Sequence, residues 1–291
     1  MHSDIPARAG GVVPPARPEI PKEGRCNVIV DMTQVLLGVD GKPIKDEKGN
    51  DVTIGPYTMV GPHVVLGDGT SLGPYVVVEG HTEIGKNNSV HAGAVLGSRS
   101  QALLDRGNQS YLRIGDGNIF REYVTVNCGF AEETARTTSI GNDNLFMALT
   151  HVAHDCQVAN HVVMANLSGL GGHVVVEDRC VVGGMAAIHQ YVTIGTMALI
   201  GGLAKVVKDV LPYMIVDGNP ATCRGPNVVG LTRNNVGEPS RRALKKAYRL
   251  LCQSSLNTSQ AMEGIEEEVD HCPEITHLLD FIRRSKRGVC K

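Results

Sequence analysis

From Ile54 an aliphatic side chain returns at every sixth position: Ile54, Val60, Leu66, Leu72, Val78, Ile84, Val90 and Leu96. Glycine follows directly at 55, 61, 67, 73, 85 and 97, and a small or β-branched residue often stands four positions on, as at Thr58, Val64, Thr70, Val76, Thr82 and Ala94. The pattern resumes at Ile114, Phe120 and Val126. It then runs unbroken through Ile140, Phe146, Val152, Val158, Met164, Leu170, Val176, Val182, Ile188, Ile194, Ile200 and Val206. This period fits neither the helical 3.6 nor the alternation of a half-buried strand. It is the mark of a parallel β-helix, in which three hexads complete one triangular coil.

The breaks in the pattern organise the rest of the chain. Residues 1–25, rich in Pro, Gly and Ala and without period, read as a disordered leader. Residues 26–237 read as the β-helix, with insertions near 40–51, 97–113 and 127–139. Long excursions from a rigid scaffold tend to carry function. Residues 238–291 read as a small helical domain: Ser240–Gln253, Thr258–Asp270 and Pro273–Arg284 have helical spacing, with Pro239 and Pro273 at helix starts. The fold class expected is a left-handed parallel β-helix with a helical C-terminal domain. Its open ends need covering.

Composition agrees with that architecture. Glycine numbers 34, while Phe is 4 and Trp 0, as suits tight corners around a narrow aliphatic interior. A net charge of −2 with mixed signs shows no nucleic-acid footprint. No apolar run approaches the ~18 residues of a membrane span. The eight cysteines are scattered without a C-x-x-C pair, so neither a zinc ribbon nor a disulfide framework is expected. With no secretory-type N-terminus, a reducing cytoplasm is the simple expectation.

The candidate chemistry is a set of histidines. His154, His173 and His189 fall in the hexads of Val152, Leu170 and Ile188, three successive coils spaced about 4.8 Å apart. The reading places them on one face, with His151 at the corner before and Asp155 directly after His154. A single histidine of this kind is more often structural. Four on adjoining strips beside an acid point to a site. One use is general-base activation of a hydroxyl that attacks an acyl carbon, with Asp155 orienting His154. Backbone N–H groups of Ser168–Gly172 would then hold the oxyanion. The other use is zinc ligation by three histidines. Asp105 and Arg106 read as solvated charges, and Arg233 as a lone candidate for a phosphate.

The chain also resembles a family from Ile54 onward: the acyl-carrier-protein-dependent UDP-N-acetylglucosamine O-acyltransferases of lipid A biosynthesis. The resemblance is carried by Ile54–Val64, Val76–Gly85, His151-Val-Ala-His-Asp-Cys156, Gly172-His173, Gly183–Gln190, Gly218-Asn-Pro-Ala221 and the helical tail. It implies a homotrimer that moves an (R)-3-hydroxyacyl group from acyl carrier protein to the sugar 3-hydroxyl. It implies His154 as general base, Asp155 as its support and Gly172 as oxyanion donor. His151, His173, His189, Gln190, Gln101, Asn227 and Arg233 would bind the acceptor, and Gly202 would limit acyl length. No metal or organic cofactor is implied beyond the donor's phosphopantetheine. A basic surface for the acidic carrier protein is expected among Lys205, Lys208, Arg224, Arg241, Arg242, Lys245 and Lys246.

The chain departs from the family pattern at the nucleotide end. Ala102 and Leu104 stand where an Asp and a Lys are common, Asn127 replaces a common His, and Val229 and Asn234 replace a Glu and a second Arg. Each lost charge-assisted contact typically costs ~1.5–3 kcal/mol. Three alternatives therefore accompany the leading one: the same chemistry on another hydroxylated or aminated acceptor, a zinc-dependent hydratase, and a trimer that binds acyl carrier protein without turnover.

Overall fold

The computed structural model describes residues 53–291 and the backbone of a strand at Gln34–Val35. The leader at 1–25 and the insertion near 40–51 lie outside the described residues.

The hexads wind into a triangular solenoid. Each coil gives a short strand to each of three sheets, of seven, eight and eleven strands. Coils stack in register: His151, Gly169 and Ala187 pair across neighbours, as do Val152, Leu170 and Ile188. In the two-residue strands the second residue points inward, so Val152, Val158, Met164, Leu170, Val176 and Val182 are at most 3% exposed. The narrow interior accepts rings only where they lie flat. Phe120 and Phe146 stack with centroids 4.9 Å apart and planes 2° from parallel. A buried ladder of Asn88, Asn118 and Asn144 satisfies corner backbone groups inside the coil.

The corners set the chemistry. Leu149, Leu167, Met185 and Leu203 turn the chain between the eleven- and eight-stranded sheets with φ between 59° and 64°. Asp155, His173 and Tyr191 do so between the eight- and seven-stranded sheets, with φ of 59°, 60° and 63°. Non-glycine residues rarely adopt this region; here the ladders on either side hold it.

Two sequence boundaries move. Strands occupy Val95–Ser98, Tyr111–Ile114, Thr125–Asn127 and Thr137–Ile140, so both solenoid excursions are shorter than 97–113 and 127–139. Their flanks look out of phase because these strands carry polar residues such as Arg113 and Ser139 on the outer face. The helical part also begins before residue 238. Met214–Gly218 and Ala221–Pro226 form an antiparallel hairpin on the eleven-stranded sheet, and helix α1 follows at Val228–Arg233. Helices α2 (Glu238–Cys252), α3 (Thr258–Glu268) and α4 (Pro273–Arg284) bury Leu244, Ala247, Leu251, Ile265, Leu278 and Ile282 and cover that end of the solenoid.

Candidate active site

The coil register places the histidines differently from a single face. Pairing of His151 with Gly169 and Ala187 sets Gly172 and then Gln190 over His154, and Asp155 and Tyr191 on either side of His173. His154, His173 and His189 therefore occupy three different positions of one corner. An 18-residue coil stacks like positions, and these three are not like positions.

His154, Asp155 and His173 do come together. The His154 and His173 rings meet edge to face with centroids 5.2 Å apart. His154 Nδ1 lies 2.9 Å from Asp155 Oδ2, and His173 Nε2 lies 3.9 Å from the same oxygen. The Asp155 side chain is 0% exposed. Its carboxylate also accepts the N–H groups of Phe130 and Ala131, at 3.1 and 3.2 Å, and the Thr134 hydroxyl. Burial alone would raise this carboxyl, but the donors from His154, Thr134, Phe130 and Ala131 outweigh it and hold Asp155 below the ordinary carboxylate range. An ionised Asp155 takes the Nδ1–H of His154 and leaves Nε2 as the bare, basic nitrogen.

Gly172 lies directly against that nitrogen. A Cβ built there would stand 2.6 Å from His154 Nε2, so any side chain would displace the imidazole. The oxyanion candidates also narrow. The N–H groups of Ser168, Gly169 and Gly171 donate to Ala165, Ala186 and Ile188 carbonyls. That of Gly172 has no acceptor among the described residues. A bare imidazole nitrogen and a free backbone N–H thus stand side by side.

The second excursion builds the wall. Phe130 packs edge-on to His154 at 4.6 Å, while Tyr191 stacks on His173 at 4.4 Å. A cleft of about 520 Å³ opens here, lined among others by Leu104, Arg106, Phe130, Glu133, His173 and Tyr191. The sequence reading missed Phe130, Thr134 and Tyr191. The coil repeat alone stacks Tyr191 over His173, but nothing in the sequence aims Thr134 at Asp155. Asp105 is not a solvated charge: its side chain is 6% exposed and pairs with Arg99 at 3.0 Å.

Burial, and to a lesser degree the His154 charge, holds His151 below the ordinary histidine range, and its Nδ1 meets Thr125 Oγ1 at 2.8 Å. His173 is also lowered, chiefly by burial. His189 Nδ1 instead lies 3.1 Å from the Gln190 carbonyl and 3.3 Å from Arg287 Nη2. The three-histidine zinc set is therefore not assembled. His154, Asp155 and His173 hold ligand atoms within 4.8 Å of one another, but Asp155 already receives four donors. That arrangement suits proton transfer better than metal ligation.

The remaining candidates sit elsewhere on the chain. Asn227 caps α1, accepting from Gly230 N at 3.0 Å and donating to Met197 O at 2.9 Å, at the corner between the seven- and eleven-stranded sheets. Arg233 lies exposed in the last turn of the same helix, and Gln101 is exposed in the first excursion. Gly202 belongs to the third corner, where an added Cβ would lie 3.3 Å from Gly184 O. One chain does not bring Asn227, Arg233 or Gly202 to the His154 corner. Two of the basic candidates are already paired with acids: Arg242 with Glu238 at 3.7 Å and Lys246 with Glu268 at 3.8 Å.

Known proteins share this sequence and fold. Residues 209–290 match the model of domain 2 of UDP-N-acetylglucosamine O-acyltransferase, and residues 49–80 and 63–98 match the bacterial transferase hexapeptide. The acyl-[acyl-carrier-protein]–UDP-N-acetylglucosamine O-acyltransferase of Syntrophobacter fumaroxidans is 43% identical over 85% of this chain and 96% of its own length. The enzyme of the same name from Thermodesulfovibrio yellowstonii is 41% identical over 85% of this chain and 95% of its own. The LpxA structure from Acinetobacter baumannii superposes with a TM-score of 0.80 at 38% identity, covering 85% of this chain and 97% of that one. With the sheet topology, these likenesses make the architecture a left-handed parallel β-helix with C-terminal helices.

Proposed function

The chain belongs to the acyl-[acyl-carrier-protein]–UDP-N-acetylglucosamine O-acyltransferase family, and from that premise we propose how its residues perform the reaction. The activity is transfer of an acyl group from acyl carrier protein to UDP-N-acetylglucosamine, the first step of lipid A biosynthesis. The acyl group is an (R)-3-hydroxyacyl chain and the acceptor atom is the sugar 3-hydroxyl. His154 Nε2 removes the hydroxyl proton as the oxygen attacks the thioester carbon. Asp155 stabilises the resulting imidazolium. The Gly172 N–H receives the developing oxyanion. Collapse of the tetrahedral species breaks the C–S bond, and the phosphopantetheine thiolate takes the proton back from His154. The observation that carries this assignment is the Asp155–His154 bond at 2.9 Å with Nε2 against Gly172. No metal or further cofactor is required.

We also read the working unit as a homotrimer. Site residues lie on three corners of one chain, so the acceptor and acyl subsites close only between copies. The third corner supports this. Leu149, Leu167, Met185 and Leu203 form a continuous column there, each between 48% and 70% exposed. Exposed apolar stripes of this length mark contact surfaces. None of the described helices is long and apolar enough to cross a membrane; a cytoplasmic location is our reading.

Named relatives at this identity favour UDP-N-acetylglucosamine over another acceptor despite Ala102, Leu104, Val229 and Asn234. Mass spectrometry of products from several 3-hydroxyacyl carrier proteins, each offered UDP-N-acetylglucosamine, tests this. We expect a monoacylated nucleotide sugar with at least one donor. Product only with a different acceptor would overturn the assignment.

A further inference from the structure

The C-terminal tail reaches back to the corner that carries His189. Beyond α4, Ser285 Oγ donates to Asp209 Oδ2 at 2.6 Å, Asp209 N to Gly288 O at 3.0 Å, and Cys290 N to Asp209 O at 2.8 Å. These bonds lay the tail along the end of the solenoid through an isolated parallel β-bridge between Asp209 and Val289. Arg287 is thereby fixed. Its Nη2 lies 3.2 Å from Val207 O and 3.3 Å from His189 Nδ1. Its Nε is buried and has no hydrogen-bond partner among the described residues. Arg287, Arg284 and Lys286 line a cleft of about 380 Å³ that also includes Tyr191, the residue stacked on His173.

The contact between Arg287 and His189 fits only one tautomer. A guanidinium can only donate, so its bond to His189 needs a bare Nδ1 and puts the imidazole proton on Nε2. The rival bond, from Nδ1–H to Gln190 O at 3.1 Å, needs the opposite tautomer. His189 Nε2 has no partner among the described residues. As an N–H it can donate to an anionic oxygen; as a lone pair it repels one.

We propose that Arg287 is a positioning residue, holding His189 in the Nε2–H form that receives the diphosphate of the nucleotide-sugar acceptor. This rests on the reading of His189 as part of the acceptor cleft. It assigns the C-terminal tail a part in acceptor affinity besides capping the solenoid.

Arg287→Met, His189→Gln and the double variant test it in steady-state kinetics with both substrates. We expect Arg287→Met to raise KM for UDP-N-acetylglucosamine by about tenfold to a hundredfold, the range for one charge-assisted hydrogen bond. The KM for acyl carrier protein and kcat should stay within about twofold on the same scale. The double variant should be no worse than His189→Gln, because Arg287 acts through that ring. Arg287→Lys should recover part of the loss. Additive effects, or a fall in kcat with acceptor KM unchanged, would overturn the proposal. The ¹⁵N imidazole spectrum of His189 supplies a readout independent of turnover: Nε2–H in wild type and Nδ1–H in Arg287→Met are expected, and the same tautomer in both would also overturn it. Wild-type protein that acylates no UDP-N-acetylglucosamine would sink the functional reading instead, and the spectrum would then decide Arg287 alone.

Discussion

Asp155 is the residue on which the site turns, because four donors from two segments converge on its carboxylate. Replacing it with Asn would leave His154 without a charged partner and favour the wrong tautomer. We expect kcat to fall by about 10²- to 10⁴-fold, as when the acid of a triad is lost. Gly172→Ala should lower kcat by about a hundredfold, on the scale of an oxyanion-hole defect, because the new methyl occupies the space of the His154 ring. A variant of either kind with wild-type kcat would contradict the geometry. The buried histidines give a separate test. His151 and His173 titrate below their ordinary value of 6.5. Just below that pH the unfolded chain binds more protons than the folded one, so stability rises with pH there. The urea midpoint should climb toward about pH 6.5 and then level, and His151→Gln should flatten the climb. A midpoint falling over that window would refute the assignment. The sequence disclosed His154 and Asp155 as neighbours in the chain. The 18-residue coil also sets Gly172, and not His173, over His154, a consequence that placing the three histidines on one face overlooks.

At the scale of elements, the hexads and the excursions divide the labour. The hexads were legible because one aliphatic position repeats through every coil. Most repeats fold as a two-residue strand with its second side chain inward. The excursions were legible only as interruptions, because an irregular loop has no period from which to infer direction. The loop between Asn127 and Thr137 in fact folds its Phe130 and Ala131 N–H groups and the Thr134 hydroxyl onto Asp155. It acts as an electrostatic brace, and cutting one strut should show in a pH profile. Thr134→Val removes a donor that holds the carboxyl low. The acidic limb of kcat/KM should move to higher pH, at a stability cost of about 1 kcal/mol. An unchanged profile would mean that Thr134 is structural only.

At the scale of the whole molecule, the three corners differ: one carries His154 and Asp155, one anchors Asn227 and α1, and one presents the apolar column. No single chain can assemble them, which is the physical reason for expecting three copies. Met185→Glu places a charge in the middle of the column. Sedimentation should then give monomer in place of trimer, with activity lost although the solenoid stays folded. An active wild-type monomer would remove the argument. The most direct test of the account is the single-turnover rate of acyl transfer by His154→Ala, compared with wild type at saturating acyl carrier protein and UDP-N-acetylglucosamine. The variant's rate should be lower by about 10²–10⁴ or more, the usual contribution of a general base, in protein with unchanged oligomeric state and folding. A rate within about tenfold of wild type would contradict it, since a base contributing less than 10² would not be carrying the proton.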